Sequence, residues 1–460
     1  MRFLLNTIGT AGDVHPFIGV GLALKRRGHE VAVLANPHFA ERIGRVGLGF
    51  WPLGTEGQYA EMVGGAELVH QTRGPSYVLR TLVLPAMGPT LEAMANIAQA
   101  WRPDAVLAHH ICLAMPEACA RLRIPCATAV LAPLFWLSRH EPIVYPTRPL
   151  EDLPWWGDRL MRAAMKPAAR LVIDRPINAE RRRLGLGRVR DAAFTEALGV
   201  TRMRGGRKRA SEPRATLALW SPHYRPTLAD DPKHGRICGF SWFDRAAPMD
   251  GDAEVTLKGF LDGGGPPVIF TLGTSVVHHG RDFYEVAAAA CAKLNKRALL
   301  LVGAGVRKSW PAHCLALDYA PFSRVLPRGC CTVHHGGIGT TAQAMRAGTP
   351  MVIVPFANDE FDNGSRARRL GISVTLRRGK LSVATLAAAI DRVCTETSIV
   401  GLAAVMGKKL LADDGAEVAA DHLEKLAALA RVERVRGRAD ITSGASSRSR
   451  GLSRAPSRPA

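Results

Sequence analysis

Apolar and polar positions along the chain follow a repeated pattern. "RFLLNTIG" (Arg2–Gly9) is a short apolar run that reads as a buried strand. A glycine-rich turn follows it, then the amphipathic stretch "PFIGVGLALKRRGH". "EVAVLANP" repeats the strand and "HFAERIGRVG" the helix. "DAVLAHH" (Asp104–His110) is another strand, and "MPEACARLRIPCATAVL" reads as a helix running into one more. Strands that alternate with helices predict a mostly parallel sheet with helices on both faces.

The pattern loosens from about Pro142 to Arg214, where Pro, Trp and Arg mix. "SPHYRPTLADDPKHG" (Ser221–Gly235) has the Pro and Asp density of a connector. The alternation then resumes. "PPVIFTLGT", "RALLLVGAG", "CCTVHHGG" and "TPMVIVPFAND" read as strands. "DFYEVAAAACAKLN", "SVATLAAAIDRVCTE" and a stretch from about Asp413 to Ala430 read as helices. The expected fold class is therefore α/β, with two domains of similar size facing a cleft. Residues 1–225 form the first domain, 226–250 the linker, and 251–430 the second domain with its closing helix. Residues 431–460, rich in Ser, Arg, Gly and Pro, are expected to be a disordered tail. A chain of 460 residues, 47% of them hydrophobic, has enough apolar material for two cores.

Composition narrows the compartment. The longest uncharged apolar stretches, such as "CATAVLAPLFWL" (Cys126–Leu137), fall short of the ~20 residues a bilayer needs. "MRFLLN" is too short for the apolar region of a signal peptide. The nine cysteines contain no CxxC pair, and Cys112, Cys119 and Cys126 fall at a helical spacing that suits core thiols. A reducing cytoplasm is expected.

The net charge of +21 is unevenly spread. The tail from Arg431 holds eight arginines against Glu433 and Asp440, and "TRMRGGRKRASEPR" (Thr201–Arg214) has six basic residues against Glu212. Neither run interleaves aromatics as single-strand nucleic-acid binders do, so no specific nucleic acid is expected. Solvated arginine-rich loops are the plain reading. Peripheral contact with an anionic membrane at the inner face is the functional one.

Ligands of open parallel α/β sheets sit at the carboxyl ends of strands, and the polar clusters fall there. "GTAGDVHP" follows the first strand, His109 and His110 follow another, and "GTS" (Gly273–Ser275) follows the first strand of the second half. "HHGGIGTT" (His334–Thr341) and "ANDEFDN" (Ala357–Asn363) follow two more. Glycines at a helix start let the backbone approach an anion, and free N–H groups with the helix dipole hold it. Thr340 and Thr341 add hydroxyls, and His334 or His335 a further donor. The segment is not a Walker loop, and its glycines are spaced wrongly for a dinucleotide fingerprint. Carboxylates and amides in "NDEFDN" suit a polyol, and no second acidic cluster joins them to hold a metal.

The segment "YAPFSRVLPR…VHHGGIGTTAQAMRAGTPMVIVPFANDEFDN" resembles the nucleotide-sugar signature of glycosyltransferase family 1, whose members have the two-domain GT-B fold. "GTAGDVHPFIGVGLALKRRGHEV" resembles the N-terminal loop and first helix of that family. Its "GDVxPF" form is similar to the sterol glucosyltransferases, the glycopeptide-antibiotic glycosyltransferases and the rhamnolipid rhamnosyltransferases. The resemblance covers roughly Met1 to Ala430 and implies two Rossmann-like domains.

It also implies roles. Tyr319 would stack on the nucleobase, with the main chain near Phe322 at the base edge. His335 would hold the diphosphate with Gly337, Gly339 and Thr340, and Thr274 and Ser275 form a phosphate-side turn. Gln343 stands where many relatives have a ribose-binding glutamate. Asp359 and Glu360 match an Asp-Gln pair that holds donor-sugar hydroxyls, and glutamate there removes a donor. Asp13 stands where many relatives have a histidine base, with His15 as a second candidate. His109 or His110 would lie near Asp13 on the acceptor side.

The implied reaction is inverting transfer of a hexose from a UDP- or dTDP-sugar to a hydroxyl of a hydrophobic or lipid acceptor. No metal or other cofactor is expected. "LVLPAM", "VLAPLFWL" and "PWWGDRLM" offer apolar surface for the acceptor. Two other readings stay open: a GT-B nucleotide-sugar epimerase, and a non-catalytic nucleotide-sugar or nucleic-acid binder.

Overall fold

A computed structural model of the chain describes residues 1–142, 170–189, 215–244, 251–277, 280–304 and 309–448, with isolated positions between 143 and 169. The side chains of Ser275, Arg281 and residues 433–448 lie outside that description. So do "PWWGDRL" (154–160) apart from Leu160, the basic stretch 201–214 and the tail 449–460.

The first half forms a seven-stranded sheet from β1 (Arg2–Asn6), β2 (Glu30–Ala35), β3 (Gly49–Pro52), β4 (Ala105–His109), β5 (Cys126–Val130), β6 (Ala215–Ala218) and β7 (Gly235–Ile237). The second half forms a six-stranded sheet from β8 (Val268–Thr271), β9 (Ala298–Leu301), β10 (Cys314–Leu317), β11 (Cys331–His334), β12 (Met351–Ile353) and β13 (Ser373–Thr375). The orders are β3-β2-β1-β4-β5-β6-β7 and β10-β9-β8-β11-β12-β13, all parallel. Central strands such as β4, β5 and β8 are buried along their whole length, which is why they read as near-continuous apolar runs.

Each sheet has one point where the winding direction reverses: between β1 and β4 in the first, and between β8 and β11 in the second. Loops leaving two neighbouring strands in opposite directions open a crevice there. The register pairs Asn6 with Ala108 and Thr271 with His334, so each pair of strands ends level. His109 closes β4, and the segments that follow the other three strands carry Asp13, Gly273 and His335.

Three features depart from the expected domain boundaries. First, β7 lies inside the expected linker 226–250 yet extends the first sheet by pairing with β6. Second, the last helix, Gly415–Arg448, crosses back onto the first half. Its apolar face (Ala416, Ala419, Ala420, Leu423, Ala427) is buried in the same core as the first helix, Ala11–Arg26. Alanines at i, i+3 and i+4 spacing let the two helices approach closely. Arg27 fixes the crossing with ion pairs to Glu417 (2.7 Å), Asp421 (2.7 Å) and Glu424 (2.8 Å). The crossing point is glycine on both sides: Gly239 has φ +109°, and a Cβ on Gly415 would overlap the Gly239 backbone. Third, the backbone stays helical to Arg448, through a stretch expected to be disordered. No described helix is long and apolar enough to cross a membrane.

Candidate active site

A cavity of about 650 Å³ lies between the carboxyl ends of the two sheets. This falls in the ~300–1,000 Å³ range of small-molecule sites. Asp13, His15, His109 and His110 line it from the first half. Thr274, Tyr319, Phe322, His335, Gly337, Gly339, Thr340, Gln343, Asp359 and Glu360 line it from the second.

Asp13 sits in the first turn of the first helix rather than in a free loop. Thr10 is the N-cap, and its N–H (2.7 Å) and hydroxyl (3.2 Å) both donate to Asp13 Oδ2. Gly9 makes the turn possible: its φ is +119°, and a Cβ there would overlap the Asp13 carboxylate. A helix start favours an ionised carboxylate by about 0.3–1 kcal/mol, less than the ~1.36 kcal/mol that moves a pKa by one. Burial outweighs it. Desolvation first, and the facing Asp359 carboxylate less strongly, push the Asp13 pKa from 3.8 up to about 6.

Oδ2 is thus held by Thr10, and Oδ1 faces His109 Nε2 at 3.5 Å. His109 Nδ1 accepts from the Ile111 N–H (3.4 Å), so the ring proton of the neutral imidazole falls on Nε2, toward Asp13. Burial, then the neighbouring His110, holds His109 well below its usual range, so it stays neutral. His110 packs between His109 (4.3 Å) and Phe135 (4.1 Å), its ring tilted to both, and burial lowers it to about 3.

His15 fares differently. Its Nε2 lies 2.9 Å from Arg42 Nη1. A guanidinium can only donate, so that lone pair is occupied.

In the second half, the helix Ile338–Arg346 starts at Gly337 with no side-chain cap, which leaves its first N–H groups directed at the cavity mouth. His335 lies against two glycines. A Cβ on Gly273 (φ +62°) would come within 2.6 Å of its Cε1, and a Cβ on Gly337 would overlap its Nε2. Burial lowers His335 to about 4, an effect the Thr271 backbone partly offsets, and its Nδ1 has no hydrogen-bond partner among the described residues. His334 corrects an expectation. It is fully buried at the end of β11, off the cavity, and its Nδ1 accepts the Gly336 N–H at 3.1 Å. It holds the turn in place. Ser275 lies outside the described side chains.

Asp359 is held by Asn363 Nδ2 at 2.7 Å and is raised chiefly by burial. Glu360 turns back onto its own loop, where Oε2 accepts the N–H groups of Phe356 (2.7 Å) and Ala357 (2.9 Å). Even so, burial pushes it up to about 8. At neutral pH it is mostly a carboxylic acid with an O–H to donate, which restores the hydrogen-bond donor that glutamate was expected to lack.

Gln343 Nε2 lies 3.4 Å from Asp244 Oδ1, and the Ser323 N–H lies 3.3 Å from the other carboxylate oxygen. Asp244 also lines the cavity, and sequence reasoning missed it because it lies in the connector rather than at a strand end. On the acceptor side, Leu82, Val83, Leu134 and Phe135 line the cavity, as expected of "LVLPAM" and "VLAPLFWL". Trp136, in the second stretch, is core instead, edge-on to Trp220.

Two family models match this chain: the glycosyltransferase family 28 N-terminal domain over residues 3–125, and the erythromycin biosynthesis protein CIII-like C-terminal domain over residues 303–426. The chain is 28% identical to an O-mycaminosyltylonolide 6-deoxyallosyltransferase of Streptomyces fradiae, over 93% of this chain and 98% of the relative. It is 24% identical to a sterol 3-beta-glucosyltransferase of Arabidopsis thaliana, over 81% of this chain and 57% of the relative. Among solved structures, the calicheamicin glycosyltransferase CalG4 superposes with a TM-score of 0.66 at 19% identity, covering 92% of this chain and 98% of that one. The spinosyn rhamnosyltransferase SpnG complexed with thymidine diphosphate gives 0.63 at 16% identity, covering 92% and 100%. The chain belongs to the family 1 glycosyltransferases with the GT-B fold, and it is a transferase of glycosyl groups.

Proposed function

We propose that the protein transfers a hexose, with inversion, from a dTDP- or UDP-sugar to a hydroxyl of a hydrophobic acceptor. The observation that carries this reading is a cavity in which a half-buried carboxylate from one half faces an uncapped helix start and a buried histidine from the other. Asp13 Oδ1 takes the acceptor proton as the acceptor oxygen attacks the anomeric carbon. Negative charge then develops on the leaving diphosphate. The N–H groups that begin the helix Ile338–Arg346, with His335, stabilise it in place. These donors are proposed to suffice without a metal ion. Asp359 and Glu360 hold sugar hydroxyls, one as acceptor and one as donor. Tyr319 and Phe322 flank the base, and Gln343 with Asp244 is set for the ribose.

The apolar wall formed by Leu82, Val83, Leu134 and Phe135 supports a hydrophobic acceptor, as does the likeness to the O-mycaminosyltylonolide and sterol glycosyltransferases. The test incubates the protein with dTDP- and UDP-hexoses and a panel of macrolide, sterol and lipid alcohols. Nucleoside diphosphate release and glycosylated product are followed by mass spectrometry. Acceptor-dependent release with an added hexose mass supports the reading. An isomerised donor with no acceptor requirement replaces it with the epimerase, and donor binding without turnover of any kind replaces it with the binder. Membrane contact through the basic stretches is proposed on charge alone. Equal liposome binding by the full chain and one lacking residues 431–460 removes the tail's share.

A further inference from the structure

We propose that Cys330, Cys331 and Cys394 form a second site, remote from the sugar-transfer cavity, that binds a soft thiophilic metal ion through three sulfurs. Their Sγ atoms all lie within 4.8 Å of one another, the one such grouping of His, Cys, Asp or Glu found among the described residues. Two of the thiols enter β11 and the third stands near the end of the helix Val383–Thr395, so the set joins a strand to the helix that covers it.

The geometry suits an ion of about the size of zinc. Metal–sulfur bonds of about 2.3 Å put the sulfurs of a trigonal or tetrahedral set roughly 3.8–4.0 Å apart. Drawing the three thiols together by under about 1 Å achieves that, within the reach of cysteine rotamers. The donor set contains no oxygen or nitrogen, which selects soft d10 cations over magnesium or calcium. Cys330 and Cys394 are half-buried, leaving a route for the ion, while Cys331 is buried. The Lys296 side chain lies near Cys330 and Cys394. A further thiol, Cys291, lies close enough to Cys330 and Cys394 to interact electrostatically.

Binding is ligand exchange without redox change: each thiol loses its proton to solvent as its sulfur bonds the metal. The site stands at the opposite end of β11 from His334, so the ion cannot touch the nucleotide. Its effect is to fasten the helix Val383–Thr395 to the sheet that carries His335.

The test uses the reduced full chain under nitrogen, titrated with Cd²⁺ alone, and reads the ultraviolet thiolate-to-cadmium charge-transfer band and the melting temperature. The expected result is a band saturating at one equivalent with a rise in melting temperature. Cys330→Ser and Cys394→Ser should each weaken binding at least about 100-fold, while Cys238→Ser, at a distant thiol, keeps it. Metal-free melting temperatures of the variants show that they fold. A band that persists in the Cys330→Ser/Cys394→Ser double variant overturns the proposal. So does the absence of a band in the native chain, or a disulfide between two of the three thiols in chain purified under reductant.

Discussion

His109 Nε2 faces Asp13 Oδ1 at 3.5 Å across the reversal point of the first sheet, where β1 and β4 end level. The proton sits on Nε2, the nitrogen nearer the carboxylate, because Nδ1 is committed to the Ile111 backbone, and it makes no hydrogen bond among the described residues. The neutral imidazole can orient and stabilise the carboxylate, but it is too weak a base to take the proton itself. In the proposed mechanism Asp13 is the base and His109 its positioning residue, the order of roles in a His–Asp pair reversed.

Asp13→Asn should reduce turnover by about 10²–10⁴-fold, the usual worth of general-base catalysis. The amide oxygen can still accept from Thr10, so the cap and the fold should survive. In the native enzyme, kcat/KM should fall as pH drops through about 6, because the base must be ionised and burial holds its pKa there. A pH–rate profile that is flat from 5 to 8 would remove Asp13 from the role.

His109→Phe keeps the ring and removes the N–H. Without that donor the Asp13 carboxylate loses stabilisation, and the acidic limb of the profile should move to higher pH with a roughly tenfold loss of turnover. His109→Gln, which restores a donor, should recover part of both. A purely structural role would lower stability and leave the limb where it is.

Glu360 gives a stability prediction. Its proton is held up to about 8 in the folded chain, against 4.5 when unconstrained. The native state therefore binds a proton that the unfolded state releases, and this contribution is full below 4.5 and is lost as pH rises through 8. Glu360→Gln should flatten the decline in melting temperature between pH 5.5 and 8.5 while keeping the bonds to Phe356 and Ala357. An unchanged slope would mean that Glu360 is ionised in the fold.

His335 is neutral in the free enzyme, held near 4 by burial. A diphosphate beside it favours the imidazolium, so nucleotide binding should take up protons. Calorimetry in buffers of different ionisation enthalpy reads this directly. His335→Ala should abolish the uptake and weaken nucleotide binding by about tenfold. Treatment with EDTA should leave turnover unchanged.

Much of this was legible in the sequence, for physical reasons. Central strands buried on both faces read as apolar runs, and the polar residues just beyond them fall at the cleft because that is where parallel sheets open. The clusters that hold His335, Asp13 and Asp359 follow on those grounds, and the family resemblance singles out these residues within them. The edge strands β3, β7, β10 and β13 are short and only partly buried, and left no such run. The return of the last helix to the first half rests on contacts between residues nearly 400 positions apart, such as Arg27 with Glu417, which periodicity cannot show. His334 and His335 look equivalent in sequence, but β11 ends at His334, which stays in the core, while His335 lines the cavity just before the chain turns at Gly336, φ +100°. Asp244 has no motif of its own and joins the site through its contacts with Gln343 and the Ser323 N–H.

The central claim is that a nucleoside diphosphate rests on the helix start at Gly337 beside His335. The most direct measurement is the melting temperature of the native chain and of Gly337→Ala with dTDP, UDP, GDP and ADP, since a ligand of the folded state alone must raise it. The added methyl meets the His335 ring and the anion's approach to the backbone. The account predicts a rise of several degrees for the native chain with dTDP or UDP, and none for the variant. No rise for the native chain with any of the four at millimolar concentration, or an equal rise in both proteins, would contradict it.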